Sequence, residues 1–222
     1  MRVIAHRGDS KDFGDNNMES FKSACKLGVD GIEMDIAITK CDHLIMNHNP
    51  IDKETGVPIN TRNLLSTDLE LETVLIEIKN DMFEFILDIK DNRVYSNICR
   101  EVYELCLKHK CLDRCVFSSF SENNLRDLNN IEKVTGSKLK KAYISSNMKE
   151  DLFSSSLDTF NITHVIIYKF VVNQEVVDLC HRKDVQVYSY TCNKHGLYDY
   201  MKTLGCDGVI TDTPGSFLYL EL

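Results

Sequence analysis

Short apolar and β-branched runs recur along the whole chain with a helix-length stripe between nearly every pair, and this alternation most constrains what the chain can become. The runs fall at 2–6, 31–38, 43–48, 84–89, 114–118, 139–143, 163–168, 185–190 and 208–211. Between them lie helical stripes such as Met18, Phe21, Cys25 and Gly28, then Leu125, Leu128 and Ile131, then Leu197, Met201 and Leu204. A strand followed by a helix, many times over, predicts an α/β fold with a parallel sheet covered by helices. Eight or nine strands in 222 residues suit a closed (β/α)8 TIM barrel better than an open doubly wound sheet, which uses fewer. One link breaks the rhythm. Only 12 residues separate Asp35 from His48, too few for a helical crossover, so the second and third runs are joined irregularly or by a hairpin around Thr39, Lys40, Cys41 and Asp42. One of the nine runs must then lie outside an eight-stranded barrel. At this length a single core is expected, and hence one domain over residues 1–222.

Charge and cysteine content narrow the function classes. A net charge of -8, from 26 basic and 34 acidic residues, argues against a non-specific nucleic-acid binder, which would carry a basic field. A small substrate fits better. The nine cysteines form no repeated CxxC pair, and some fall on apolar stripes such as Ile98, Cys99, Val102, Leu105 and Cys106. A reducing, cytoplasmic location is therefore expected. The first strand begins almost at Met1, leaving no room for a signal segment, and no apolar run approaches a membrane span, so no stable membrane anchor is expected.

Chemistry concentrates at the ends of four of the runs. Residues two apart on a strand share a face, so Glu33 points with Asp35 and Asp88 with Lys90. Burying three carboxylates and a lysine among Ile32, Met34, Ile36, Leu87 and Ile89 is costly unless a cation or an ionic network compensates, and the pattern asks for a divalent ion with oxygen ligands. His6, Arg7 and His48 fall at the same ends, where barrels place their active sites. Each residue also has a plain explanation: Glu33 and Asp35 as the wet face of a strand, Asp88 and Lys90 as a structural ion pair, Thr211 and Asp212 as a turn before Pro214. His43, His109, His164, His181 and His195 read as structural or exposed residues of turns and helix ends.

The ordered set of motifs resembles the glycerophosphodiester phosphodiesterase family. It runs from His6-Arg7-Gly8 through Phe21 and Ala24, Gly31-Ile32-Glu33-Met34-Asp35, Thr39 and His48 to Ser119-Phe120, Tyr190-Thr191-Cys192-Asn193 and Gly208-Val209-Ile210-Thr211-Asp212-Thr213-Pro214. The resemblance implies a metal-dependent barrel that hydrolyses glycerophosphodiesters to glycerol 3-phosphate and an alcohol. It implies His6 and His48 as acid and base, Glu33, Asp35 and Asp88 as ligands of one Mg2+ or Ca2+, and Arg7, Lys90 and Asp15 as phosphate or substrate contacts. Ile76-Glu77-Ile78-Lys79 also looks like the family's Glu-x-Lys strand, yet it continues the helical stripe Leu71, Val74, Leu75, Ile78, so Asp88 is the preferred ligand. Gly14-Asp15-Asn16-Asn17 stands where the family usually has Pro-Glu-Asn-Thr, Asn49 where it has Asp, and Tyr190 where it has Trp. Two alternatives stay open. One is a lysophospholipase D or sphingomyelinase D-like activity that forms a cyclic phosphate; the other is a catalytically weak phosphate-binding barrel.

Overall fold

The computed structural model of the chain describes residues 1–53, 55–78, 83–90, 97–147 and 150–218, with the side chains of 150–154 set aside. Each of the nine runs contains or overlaps a strand: β1 (Arg2–His6), β2 (Gly31–Ile38), β3 (Leu44–Met46), β4 (Glu84–Ile89), β5 (Cys115–Ser119), β6 (Lys140–Ser145), β7 (His164–Tyr168), β8 (Gln186–Tyr190) and β9 (Gly208–Thr211). After β1 come α1 (Ser10–Phe13) and α2 (Met18–Leu27), and after β3 comes α3 (Leu71–Glu77). The later strands alternate with α4 (Ile98–Lys108), α5 (Glu122–Thr135), α6 (Glu150–Thr159), α7 (Gln174–Arg182) and α8 (His195–Thr203).

All strands except β3 pair in parallel, and the barrel closes where β1 pairs with both β2 and β9. The strand left outside is β3, which turns back antiparallel on β2 with Met46 opposite Ile36. Asp42 makes the turn in the left-handed region at φ 64, a conformation that Asp tolerates better than most residues. The Thr39 hydroxyl accepts the His43 N–H at 3.1 Å and pins the hairpin. Ile76 and Glu77 lie in α3, as the stripe predicts, while Lys79 falls outside the described residues.

Parallel strands are covered on both faces, which is why their sequences read as continuous apolar runs. Every residue of β2 is buried. Ile32, Met34 and Ile36 face the helices, whereas Ile4, Ile86, Val116, Ile166, Tyr188 and Ile210 fill the barrel interior. A polar plug closes the amino-terminal end: Glu84 accepts from Arg2 Nη1 at 2.9 Å and from the Tyr188 hydroxyl at 3.0 Å. The carboxyl ends of the strands are left for the site.

Candidate active site

Strand register brings the acidic residues together. His6 is level with Glu33, and Asp35 with Asp88, so three neighbouring strands deliver their charged side chains to one mouth. Oxygens of Glu33, Asp35 and Asp88 all lie within 4.8 Å of one another, and all three residues are buried. Asp35 is the most heavily partnered. It forms ion pairs with Arg7 Nε at 2.9 Å and Lys90 Nζ at 2.8 Å and accepts a hydrogen bond from Asn16 Nδ2 at 2.8 Å. Lys90 also pairs with Asp88 Oδ2, whereas Asp88 Oδ1 is buried without a hydrogen bond.

The chain leaves β1 through a tight turn that aims Arg7 inward. Arg7 and Gly8 both have positive φ, 56 and 85. At Gly8 a β-carbon would stand 2.5 Å from Ser20 Oγ and 2.7 Å from the Ser20 carbonyl carbon, so only glycine fits. Ser20 belongs to the capping box of α2, where Asn17 Oδ1 accepts the Ser20 N–H at 3.0 Å. Arg7 thus stands on a capped helix start. Its Nη1 reaches the exposed Asp15 at 2.7 Å, so Asp15 lies at the rim as a brace for Arg7.

His6 faces the carboxylates with one nitrogen and is held by the other. Its Nδ1 is 2.5 Å from Asp212 Oδ1, and its Nε2 is 3.9 Å from Glu33 Oε2. Asp212 is itself fixed by Asn193, whose Oδ1 accepts the Asp212 N–H at 2.9 Å. Burial disfavours the imidazolium, but the hydrogen bond with Asp212 works against it and the His6 pKa is raised. His48 follows β3 and belongs to two cavities. One is an inner space of about 80 Å3 shared with His6, Glu33 and Asp88; the other is an outer groove of about 500 Å3 shared with Asp15, Asn49 and Asp68. Burial, opposed by Asp35, lowers the pKa of His48, and Asn49 is its side-chain partner.

All eight residues singled out in the sequence are therefore at one end of the barrel, with Asp15 at its edge. Two more belong with them. Asn16 both donates to Asp35 and, at 3.1 Å, accepts the Asp35 N–H. It occupies the Asn position of the Pro-Glu-Asn-Thr pattern, which was the available signal. Asp212, which the sequence left between a turn and a site role, is the partner of His6.

The oxygens fit a hard divalent cation. Burial and the nearby Asp35 push Glu33 up to about 8, and burial pushes Asp88 up to about 6, so full ionisation of the three carboxylates is disfavoured even beside Arg7, Lys90 and His6. A buried carboxylate oxygen without a partner and an all-oxygen donor set are what Mg2+ or Ca2+ takes.

A closed parallel barrel that gathers two histidines, three carboxylates, an arginine and a lysine at the carboxyl ends of its strands has the site of a barrel enzyme. The sequence profile of the glycerophosphoryl diester phosphodiesterase family matches residues 6–75 and 63–216, and the chain belongs to that family. A glycerophosphodiester phosphodiesterase of Caldanaerobacter subterraneus subsp. tengcongensis is 25% identical over 239 residues, covering 98% of this chain and 96% of that one. A lysophospholipase D of Rattus norvegicus is 22% identical over 264 residues, covering 96% of this chain and 83% of its own. Among solved structures, an Oleispira antarctica phosphodiesterase in complex with the product sn-glycerol-3-phosphate matches the fold with a TM-score of 0.86. It is 19% identical and covers 99% of this chain and 96% of that one.

Proposed function

We propose that this chain hydrolyses glycerophosphodiesters to sn-glycerol 3-phosphate and an alcohol in the cytoplasm, using one divalent cation, Mg2+ or Ca2+, held by Glu33, Asp35 and Asp88. The observation that carries it is the meeting of His6, His48 and three buried carboxylates in one cavity. The product-bound Oleispira phosphodiesterase supports the substrate class. The nine free cysteines support a reducing compartment, and among the described residues no helix is long and apolar enough to cross a membrane.

A bound cation supplies Lewis acidity toward the phosphoryl oxygens and offsets charge that builds there. The chain does the rest. Arg7 and Lys90 present positive charge to the diester, each steadied by Asp35, so little reorganisation is needed when a phosphate enters. His6 carries its positive charge against Asp212, while burial lowers the pKa of His48, which spends more time neutral. Between them they remove a proton from the nucleophile and return one to the leaving alkoxide. Asp15 holds Arg7 at the rim and accepts a hydroxyl of the glycerol.

A second reading, cleavage of lysophospholipids, is favoured by an aromatic wall beside the cavity. Phe120 and Phe170 are 49% and 73% exposed, and Tyr190 and Tyr168 join them into one arc. Phosphorus NMR of chelator-stripped protein with glycerophosphocholine and with lysophosphatidylcholine, with and without Mg2+ or Ca2+, tests both. Glycerol 3-phosphate released only with metal is the expected outcome. A lysophosphatidic or cyclic product moves the chain to the lipid branch, and no product with either substrate sinks the hydrolase reading.

A further inference from the structure

Three of the nine cysteines meet at the opposite end of the barrel from the active site. Cys106 lies in α4, Cys115 opens β5, and Cys111 sits between them; all are buried, at 0%, 0% and 2% exposure. Cys115 Sγ is 3.6 Å from Cys106 Sγ and 3.9 Å from Cys111 Sγ, and the three sulfurs lie within 4.8 Å of one another.

The way α4 ends explains why two of them touch. Lys110 takes the left-handed conformation at φ 54, the Cys111 N–H donates to the Cys106 carbonyl at 3.0 Å, and the Lys110 N–H donates to the Leu107 carbonyl at 3.1 Å. This Schellman closure normally brings an apolar pair together. The same closure ends α6, α7 and α8, where the pairs are Leu157 with Ile162, Cys180 with Val185, and Met201 with Cys206. The fold thus asks for two apolar side chains at this place and nothing more. Among these four helix ends only α4 supplies a thiol at both positions, and β5 then adds a third.

The spacing matches a metal thiolate cluster. Ligand sulfurs at about 2.3 Å from a tetrahedral ion are about 3.8 Å apart, between the two separations seen here. A disulfide needs its sulfurs at about 2.0 Å. Arg114 is the cationic group whose charge reaches Cys111, and it offsets part of the negative charge of a thiolate cluster. No fourth His, Cys, Asp or Glu joins the three among the described residues. This suits three-coordinate Cu(I), or Zn(II) with one further ligand.

We propose that Cys106, Cys111 and Cys115 bind one thiophilic d10 ion, Zn(II) or Cu(I), independently of the oxygen-lined site. Each thiol loses its proton to solvent as its sulfur takes up the ion, with no change of oxidation state. Soft sulfur donors favour a thiophilic ion and hard carboxylates favour Mg2+, so excess Mg2+ keeps the oxygen-lined site occupied while the sulfurs take the softer ion. The ion ties the end of α4 to the start of β5.

The test uses the reduced, Mg2+-saturated full chain. It is offered Zn2+ alone or Cu(I) alone, passed through a desalting column with a weak chelator, and analysed for retained metal; Cd2+ supplies a thiolate charge-transfer band as a second readout. One retained ion per chain and a raised unfolding midpoint are expected, with the arm that retains metal identifying the ion. Cys111→Val copies Val185 at the matching end of α7 and so keeps the apolar pair. It should abolish uptake and the band while leaving the metal-free unfolding midpoint and diesterase turnover near wild type, and Cys115→Ala should lose uptake as well. Cys41→Ser, at an exposed thiol, should retain it. No uptake by the wild type, uptake that survives in Cys111→Val, or uptake that follows Cys41 overturns the site.

Discussion

His6 owes its orientation to a residue 206 positions away, Asp212, and that bond is the most informative single contact at the mouth. A carboxylate on the far nitrogen of a histidine fixes the tautomer and ring angle and stabilises the imidazolium. His6→Ala and His48→Ala should each slow turnover by roughly 100-fold or more if both move protons. Asp212→Asn keeps the shape and removes the charge; it should cost roughly 10–100-fold in kcat. Because the raised pKa of His6 depends on Asp212, this variant should also move one limb of the kcat/KM pH profile to lower pH. A purely structural Asp212 would lower the amount of folded protein without moving the profile, and that result would remove it from the mechanism. The candidate carboxylates were legible in the sequence because strand alternation alone predicts which ones share a face. Asp88 rather than Glu77 followed from an apolar run against a helical stripe, and Glu77 indeed lies on α3, paired with Lys22 at 2.9 Å. Asn16 and Asp212 were not assigned roles. Their hydrogen bonds exist only after β1, β2 and β9 have come side by side, and neither strand alternation nor helical periodicity encodes that.

At the scale of elements, the strands were readable and the helix ends were not. Each strand lies in or overlaps its sequence run, and the short Asp35-to-His48 link is the hairpin its length required. Backbone closures are harder to see. Gly205 marks the left-handed position after α8, but Lys110, Asn161 and Asp184 hold the same position after α4, α6 and α7. Only the packing of each helix onto the next strand forces those residues there. A side chain in this conformation costs on the order of 1 kcal/mol relative to glycine. Lys110→Gly should therefore stabilise the chain by about 0.5–1 kcal/mol, measured as a shift of the denaturant midpoint at unchanged slope. A loss of stability would mean that Lys110 makes an interaction worth more than its strain. The hairpin of β2 with β3 has a consequence as well. It carries His48 to the mouth on a loop rather than a strand, and Arg62, bound to Asp52 at 2.9 Å and to Asp68 at 2.7 Å, buttresses the region that follows.

Across the whole molecule, the two ends of the barrel treat buried charge in opposite ways. At the amino-terminal end Glu84 is satisfied by Arg2, Tyr188 and, at 3.5 Å, Lys140, and its charge closes the barrel. At the mouth burial, with crowding by Asp35 and Asp88, pushes Glu33 up to about 8, against an ordinary value of 4.5. Between those two pH values the folded chain without a bound cation therefore holds a proton that the unfolded chain has released. Stability then falls as pH rises through the window, and Asp88, pushed up to about 6, adds to the fall. Glu33→Gln removes the charge and keeps an oxygen to accept the Arg7 N–H, which Glu33 now does at 3.1 Å. In chelated protein at pH 8 the variant should be more stable than wild type, with each kcal/mol gained raising the unfolding midpoint by about 2–4 °C. Near pH 4.5 the advantage should vanish, because the wild-type carboxyl is then protonated in the folded chain. Saturating Mg2+ or Ca2+ should reverse the order, since only the wild type keeps its full ligand set and gains the binding energy. Scanning calorimetry across pH with and without metal measures all three. A wild type that is already the more stable at pH 8 without metal would mean that the mouth carries no unbalanced charge for a cation to relieve.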